Sequence, residues 1–431
     1  MKIITVCMLF LFVLANAQAA LKVEITEGTE RSVPVAILPF TINVPKEAAP
    51  TLLIEDVVSA DLLSSGRFAP VDSAKLPTTS LDIASVDYST WQAANVNYIV
   101  AGALEANDQG YELTFRLLDV YSKQQLLGYR FQVKPASLRQ QAHQVSNLIY
   151  EELTGKRGYF LSRIAYVNRQ KTEKGLQYRL LIADMDGFNE QSILTASQPI
   201  VSPTWSPDGR KLAYASFEKG SPEIIIQDIF SGEATRLPAF KGLNSAPAWS
   251  HKGDKLAVTL SKNGNPDIYI YDLASKDFAP LTKHWAIDTE PAWSSDDQFI
   301  VFTSSRSGGA QLYKIPVNRG LARAKRLTFE GRYNANADIS DDGQYVAFVQ
   351  GVGNQFFIAL LDLETGLVQR LSNGSLDESP SFAPNGTMIL YAKQGKLTGE
   401  LATVSLDGRF KQRIILQDGD VKEPAWSPFL N

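Results

Sequence analysis

Three histidines, His143, His251 and His284, are the side chains best suited to hold a metal or move a proton near neutral pH. No two stand at H-x-x-x-H spacing, so no helical zinc pair is written into the chain. Asp377 and Glu378 adjoin and have the chemistry of an acid and a base, but neighbouring carboxylates on one acidic loop are ordinarily solvated surface. "GVGNQF" from Gly351 lacks the third glycine of a dinucleotide loop and follows no βαβ unit. "DMDG" from Asp184 is too short for a calcium loop. G-x-S-x-G is absent, although a Ser-His-Asp triad assembled in space stays open. Cys7 is the sole cysteine. No cofactor or metal is expected.

Binding, rather than bond chemistry, is what the remaining pattern suggests. Ser202, Ala246, Glu290, Asn336, Ser379 and Glu423 recur 44, 44, 46, 43 and 44 residues apart. Each precedes a short head motif such as "PTWSPDG" from Pro203, "PAWSHKG" from Pro247 or "PAWSSDD" from Pro291. The other heads begin at Ala337, Pro380 and Pro424, and the last is "PAWSPFLN", a head without a body. Upstream of the first head, "RIAYVNR" from Arg163 and "YRLLIADMDG" from Tyr178 form a body without a head. Five complete copies and the two halves make six. Each copy reads as four short strands separated by turn residues, which over about 40–45 residues is the signature of a propeller blade. The final head is expected to supply the inner strand of the blade begun at Arg163, so that no sheet edge is left at the seam. Trp205, Trp249, Trp293 and Trp426, with Ile339 and Phe382 in the other two copies, place one large apolar group per blade for packing neighbouring sheets.

In such a ring the residues before each head line one mouth of the central channel. Glu290, Glu423 and the Asp377-Glu378 pair make that mouth acidic, which suits a protein partner or a cationic peptide. The expected partner-binding residues are Leu243, Asn244, Ala246, Thr289, Glu290, Asn336, Glu378, Ser379 and Glu423.

Ahead of the repeats, "VPVAILPF" from Val33 is a buried-strand run, and residues 47–66 show helical spacing ending at Gly66. "NYIVAGALEAND", "YELTFRLLDVYSK" and "QQLLGYRFQV" read as three strands. "SLRQQAHQVSNLIYEELTG" reads as a helix with Ser137 as N-cap and Gly155 as C-cap. The fold class is therefore two-domain α+β: a small α/β domain over 33–157, then a six-bladed β-propeller over 163–431 closed by the C-terminal strand.

Lys2, the uncharged run "IITVCMLFLFVLA" and the small residues of "ANAQAA" form a secretory signal peptide over 1–19, with cleavage after Ala19 or Ala17. Its apolar run is too short to span a bilayer, and Cys7 leaves with it, so no thiol or disulfide is expected in the mature chain. Residues 20–32, "ALKVEITEGTERS" with Lys22, Val23, Glu24 and Ile25 at its centre, read either as a frayed end or edge strand or as a peptide that adds itself to a sheet. The 431 residues carry a net charge of −4 without a long run of one sign, which argues against nucleic acid or anionic membrane as main partner.

The heads, the "KLAYAS"-type strands, the terminal "PAWSP" and "VPVAILPF" after an export signal together resemble the TolB family, over essentially the whole chain. The resemblance implies a non-enzymatic, monomeric periplasmic adaptor of the Tol–Pal system. It implies that the propeller mouth binds the lipoprotein Pal and that the segment 20–32 engages TolA. It implies support of outer-membrane integrity and of invagination at cell division. Asp297 in place of the turn glycine, and Ile339 and Phe382 in place of Trp, depart from the pattern. The competing class is an exported hydrolase with its active site in the channel; "WSPDG" also occurs in propellers of prolyl-oligopeptidase-like hydrolases, which continue into a catalytic domain with a nucleophile elbow.

Overall fold

The apolar run at Val33 is driven inside because helices cover both faces of the sheet it joins. The computed structural model describes residues 24–27, 32–45, 49–82, 85–173, 175–319, 323–395, 398–416 and 419–430. The expected signal peptide, Lys22 and Val23 lie outside them. Strand β1 is Glu24–Glu27, β2 Val33–Ile37 and β3 Thr41–Asn43; helix α1 is Ile54–Ser64. There follow β4 Phe68–Pro70, α2 Tyr88–Ala93, β5 Tyr98–Asn107, β6 Gly110–Asp119, β7 Gln124–Val133 and α3 Leu138–Thr154. The sheet order is β4-β2-β5-β6-β7, with β3 also against β5. The β2 pairings with β4 and β5 are parallel, and β5-β6-β7 is an antiparallel meander. α1 and α3 cover one face, and α2 brings Trp91 against Ala36, Leu38 and Ile99 on the other.

Three short elements, β3, β4 and α2, were not expected: six residues or fewer show no resolvable period. Ser137 does stand at the N-cap of α3, but its side chain makes no capping bond, because a 3-10 turn over Pro135–Ser137 leads into the helix. Gly155 ends α3 in the left-handed conformation, φ 70°. Gly66, φ 67°, ends α1 where only a glycine fits: a Cβ there would lie 2.5 Å from Cγ of Phe410, on the propeller.

Blade one begins with β8 Arg163–Thr172, β9 Gly175–Asp184 and β10 Gln191–Ala196. Among the described residues, the inner strands of blades two to six are Ile200–Trp205, Asn244–Trp249, Asp288–Trp293, Tyr333–Ile339 and Asp377–Phe382, each heading an antiparallel four-stranded unit. The last strand, Asp420–Trp426, returns to blade one and pairs with β8, Trp426 opposite Ile164 and Ala425 opposite Ala165. The ring is closed as expected. Ser427 fastens the seam further: its N–H donates to Arg163 O at 2.8 Å, and its Oγ accepts from Arg163 N at 2.9 Å.

Blade-to-blade packing follows the heads. Trp205, Trp249, Trp293, Ile339, Phe382 and Trp426 are all buried. Trp205 Nε1 donates to Ala425 O at 3.1 Å and Trp293 Nε1 to Ala248 O at 3.0 Å, each reaching the preceding inner strand. Phe382 has no ring N–H, and there the link is its backbone N–H donating to Asp338 Oδ2 at 2.7 Å.

The α/β domain sits on blades one and six through a shared core. Tyr159 in the linker stacks edge-on against Trp426 (5.4 Å) and Tyr150 of α3 (6.1 Å). β1 extends blade six at its outer edge, Glu24 opposite Arg413 and Ile25 opposite Gln412. No helix among the described residues is long and apolar enough to cross a membrane.

Candidate functional site

Each inner strand carries a β-bulge just before its head. Val201 and Thr204 pair with Ala215 and Ala213, so two residues face one. The same slip occurs between Ser245 and Ala248, Thr289 and Ala292, Ala335 and Asp338, Glu378 and Ser381, and Lys422 and Ala425. The first bulged residue is left-handed in all six: Ser202, Ala246, Glu290, Asn336, Ser379 and Glu423 have φ between 48° and 54°. None is glycine, although such a conformation costs a non-glycine residue about 1 kcal/mol or more. Proline follows in five of the six, where its missing N–H leaves no gap in the ladder. The bulge turns these six positions into a ring lining a channel of about 390 Å³, together with Asp338, His251 and the heads.

Two of the six are already engaged. Glu290 Oε2 accepts from the Asn336 backbone N–H at 2.9 Å and from Thr303 Oγ at 2.7 Å. Glu423 Oε2 accepts from the Ser202 N–H at 3.2 Å. Each glutamate thus ties its own bulge to that of the next blade. Leu243, Asn244, Thr289 and Glu378 are not in the channel wall but on the rim above it. Asn244 is buried and spends its amide on Phe240 and Gly242, holding the loop in shape. Leu243 is half-buried, Thr289 lies 3.4 Å from Thr259 Oγ1, and exposed Glu378 is 3.7 Å from Lys422 Nζ.

The channel gathers carboxyl groups away from bulk water, where the charged form is disfavoured. Burial pushes the Asp338 carboxyl up to about 6, against the N–H bonds it accepts from Phe382 and Ile339. Burial, then the neighbouring Glu378 and Glu290, push Glu423 up to about 7. Both hold protons more tightly folded than unfolded, where such groups titrate near about 4. Their contribution to stability is therefore complete below about pH 4 and is lost as pH rises through about 6 and about 7. Urea melts should show stability falling from about pH 5 to about pH 8, and the Asp338→Asn, Glu423→Gln double variant should fall less steeply.

A second polar cluster lies at the domain seam. His143 Nδ1 of α3 is 2.8 Å from Asp61 Oδ2 of α1, and both are buried. Its Nε2 faces Asp186 of the β9–β10 turn at 3.8 Å, and Arg139 of α3 hydrogen-bonds that same Asp186. Burial works against the His143 cation, but Asp61 and Asp186 outweigh it and raise its pKa above the ordinary value. Asp61, His143 and Asp186 bring three donor atoms within 4.8 Å. Arg139 already occupies the Asp186 oxygen and His143 Nδ1 the Asp61 oxygen, so the arrangement is a chain of ion pairs clamping propeller to α/β domain rather than an open cation site. Sequence reading missed it because Asp61 and His143 stand 82 residues apart.

Comparison with known proteins agrees with this architecture. Residues 150–430 match the TolB beta propeller domain and residues 21–126 the TolB amino-terminal domain. The chain is 50% identical over 415 residues to the Tol-Pal system protein TolB of Xanthomonas campestris pv. campestris (strain B100), covering 96% of this chain and 94% of that one. To the protein of the same name from Xylella fastidiosa (strain M12) it is 49% identical over 429 residues, 99% and 97% of the two chains. The crystal structure of TolB from Acinetobacter baumannii superimposes with a TM-score of 0.86 at 39% identity, over 94% of this chain and 99% of that one. A six-bladed ring sealed by its last strand, an α/β domain ahead of it and these matches across nearly every residue make the chain a member of the TolB family.

Proposed function

We propose that this chain is a non-enzymatic, monomeric periplasmic adaptor of the Tol–Pal system, exported by cleavage after residue 19. In this reading the propeller mouth binds the lipoprotein Pal through Leu243, Asn244, Ala246, Thr289, Glu290, Asn336, Glu378, Ser379 and Glu423. Residues 20–32 engage TolA, and the two contacts together support outer-membrane integrity and invagination at division. The name that the Xanthomonas and Xylella relatives carry places them in a Tol-Pal system.

The observation that carries the reading is the ring of six left-handed bulge residues around one acidic channel mouth. Backbone strain kept at six equivalent non-glycine positions is spent on aiming side chains, and Glu290 and Glu423 hold the blades in register rather than standing free as acid and base. For the second partner, β1 supports the reading. It is held to blade six through three residue pairs, a short edge addition of the kind a competing strand can replace.

Affinity capture from an envelope extract tests both contacts. The intact chain should recover a lipoprotein and TolA. Glu290→Lys should lose the lipoprotein, and removal of residues 20–32 should lose TolA while the lipoprotein stays. Turnover of a substrate with no partner recovered would instead support a channel enzyme.

A further inference from the structure

The ring is nearly six-fold, so a mouth built of equivalent bulges does not by itself tell a partner how to sit. The rim does. The exposed aromatics of the inter-blade loops stand before blades four and five, Trp285 (78% exposed) beside Ile287 and Phe329 (72%) beside Tyr333, while the loops before blade six and before the closing strand of blade one add only the aliphatic Leu376 and Ile415. The described loops before blades two and three present none. Beside Trp285 a groove of about 590 Å³ runs between blades three and four, walled by Lys283, His284, Arg306, Tyr313 and Arg323.

The groove's charge is opposite to that of the channel. Arg306 is the one cation of the three with a carboxylate, Asp288 Oδ2 at 2.6 Å, while exposed Lys283 and Arg323 form no ion pair among the described residues. The indole of Trp285 tilts against the His284 ring, centroids 5.2 Å apart, and is otherwise bare. A rigid aromatic anchor beside unpaired cations is the composition of an interface hot spot, and scattered rim charge alone would not supply it.

We propose that this groove docks an acidic segment of the same lipoprotein partner, one that presents carboxylates beside an apolar side chain, and so fixes the partner's rotation on the ring. The inference rests on the mouth being the lipoprotein site. Charge complementarity selects the occupant: an acidic protein segment meets the cations while its apolar side chain covers Trp285, and the partner's basic surface faces the acidic channel.

The test is calorimetric titration of the full chain with the soluble, non-lipidated domain of the lipoprotein from the same organism. Trp285→Ala should weaken binding by about ten-fold or more. The Lys283→Glu, Arg323→Glu double variant should weaken it by a similar factor and reverse the effect of added salt at this contact. These side chains are exposed, and unchanged melting curves would show the fold intact. Wild-type affinity in both variants, with binding lost in Glu290→Lys, would overturn the groove and leave the mouth standing. A loss in Trp285→Ala alone would overturn the acidic segment. Failure of the unaltered chain to bind the domain would overturn the mouth reading and the groove with it.

Discussion

Removing Pro424–Asn431 should lower the melting temperature by at least about 10 °C, or abolish cooperative unfolding. The deletion takes out Trp426, which packs edge-on against Tyr159 and donates from Nε1 to Ser162 Oγ at 2.8 Å. It also removes the pairing of Ala425 and Trp426 with β8, both Ser427 bonds to Arg163, and the Arg157 guanidinium's seat over Phe429 at 4.1 Å. Emptying a buried Trp site alone costs about 3–5 kcal/mol. A domain has only about 5–15 kcal/mol in hand, and about 1 kcal/mol moves the midpoint of one this size by about 2–4 °C. The loss also leaves the start of β8, at Ile164 and Ala165, without its partner strand. Circular dichroism melts of the two forms check it, and superimposable curves would mean that the seam contributes nothing.

Asp61→Ala should be the most damaging single substitution at the domain seam, at about 3–5 kcal/mol. It leaves His143 buried beside one carboxylate instead of two, with the Asp186–Arg139 pair unable to compensate because it is already closed on itself. Replacing both Asp61 and His143 with Leu should cost less than Asp61→Ala alone, since two charges are then removed together. Urea denaturation of the single and double variants measures this coupling. Additive losses would show that the two residues act independently.

The ring was readable in the chain because its landmarks are local. A Trp, a Pro-Asp-Gly turn and an apolar strand recur at nearly fixed spacing, and the unpaired ends at Arg163 and Pro424 announce their own partner. The small elements of the first domain were not, since α2 holds one buried Trp in six residues. The mouth was legible in position but not in mechanism. Ser, Ala and Glu do not advertise a left-handed backbone, and Asn336 is the one residue of the six whose type visits it readily. Asp297 shows the converse. It departs from the turn glycine yet keeps φ at 58°, and its carboxylate accepts from the N–H groups of His251 (2.7 Å) and Lys252 (3.1 Å) in the previous blade's hairpin. The departure became a blade-to-blade link, which no reading of one repeat could reveal. Trp285 escaped attention for a related reason: it lies outside every repeat landmark, and its exposure depends on loops from two blades.

Capture of the lipoprotein by the intact chain, by Glu290→Lys and by Glu290→Gln bears most directly on the mouth as a binding face. Gln keeps an acceptor for the Asn336 N–H, so it separates the blade link from the charge. Recovery by the intact chain and loss with Lys, while both variants melt as folded rings, is the result expected; equal recovery by all three would contradict a partner seated on this channel.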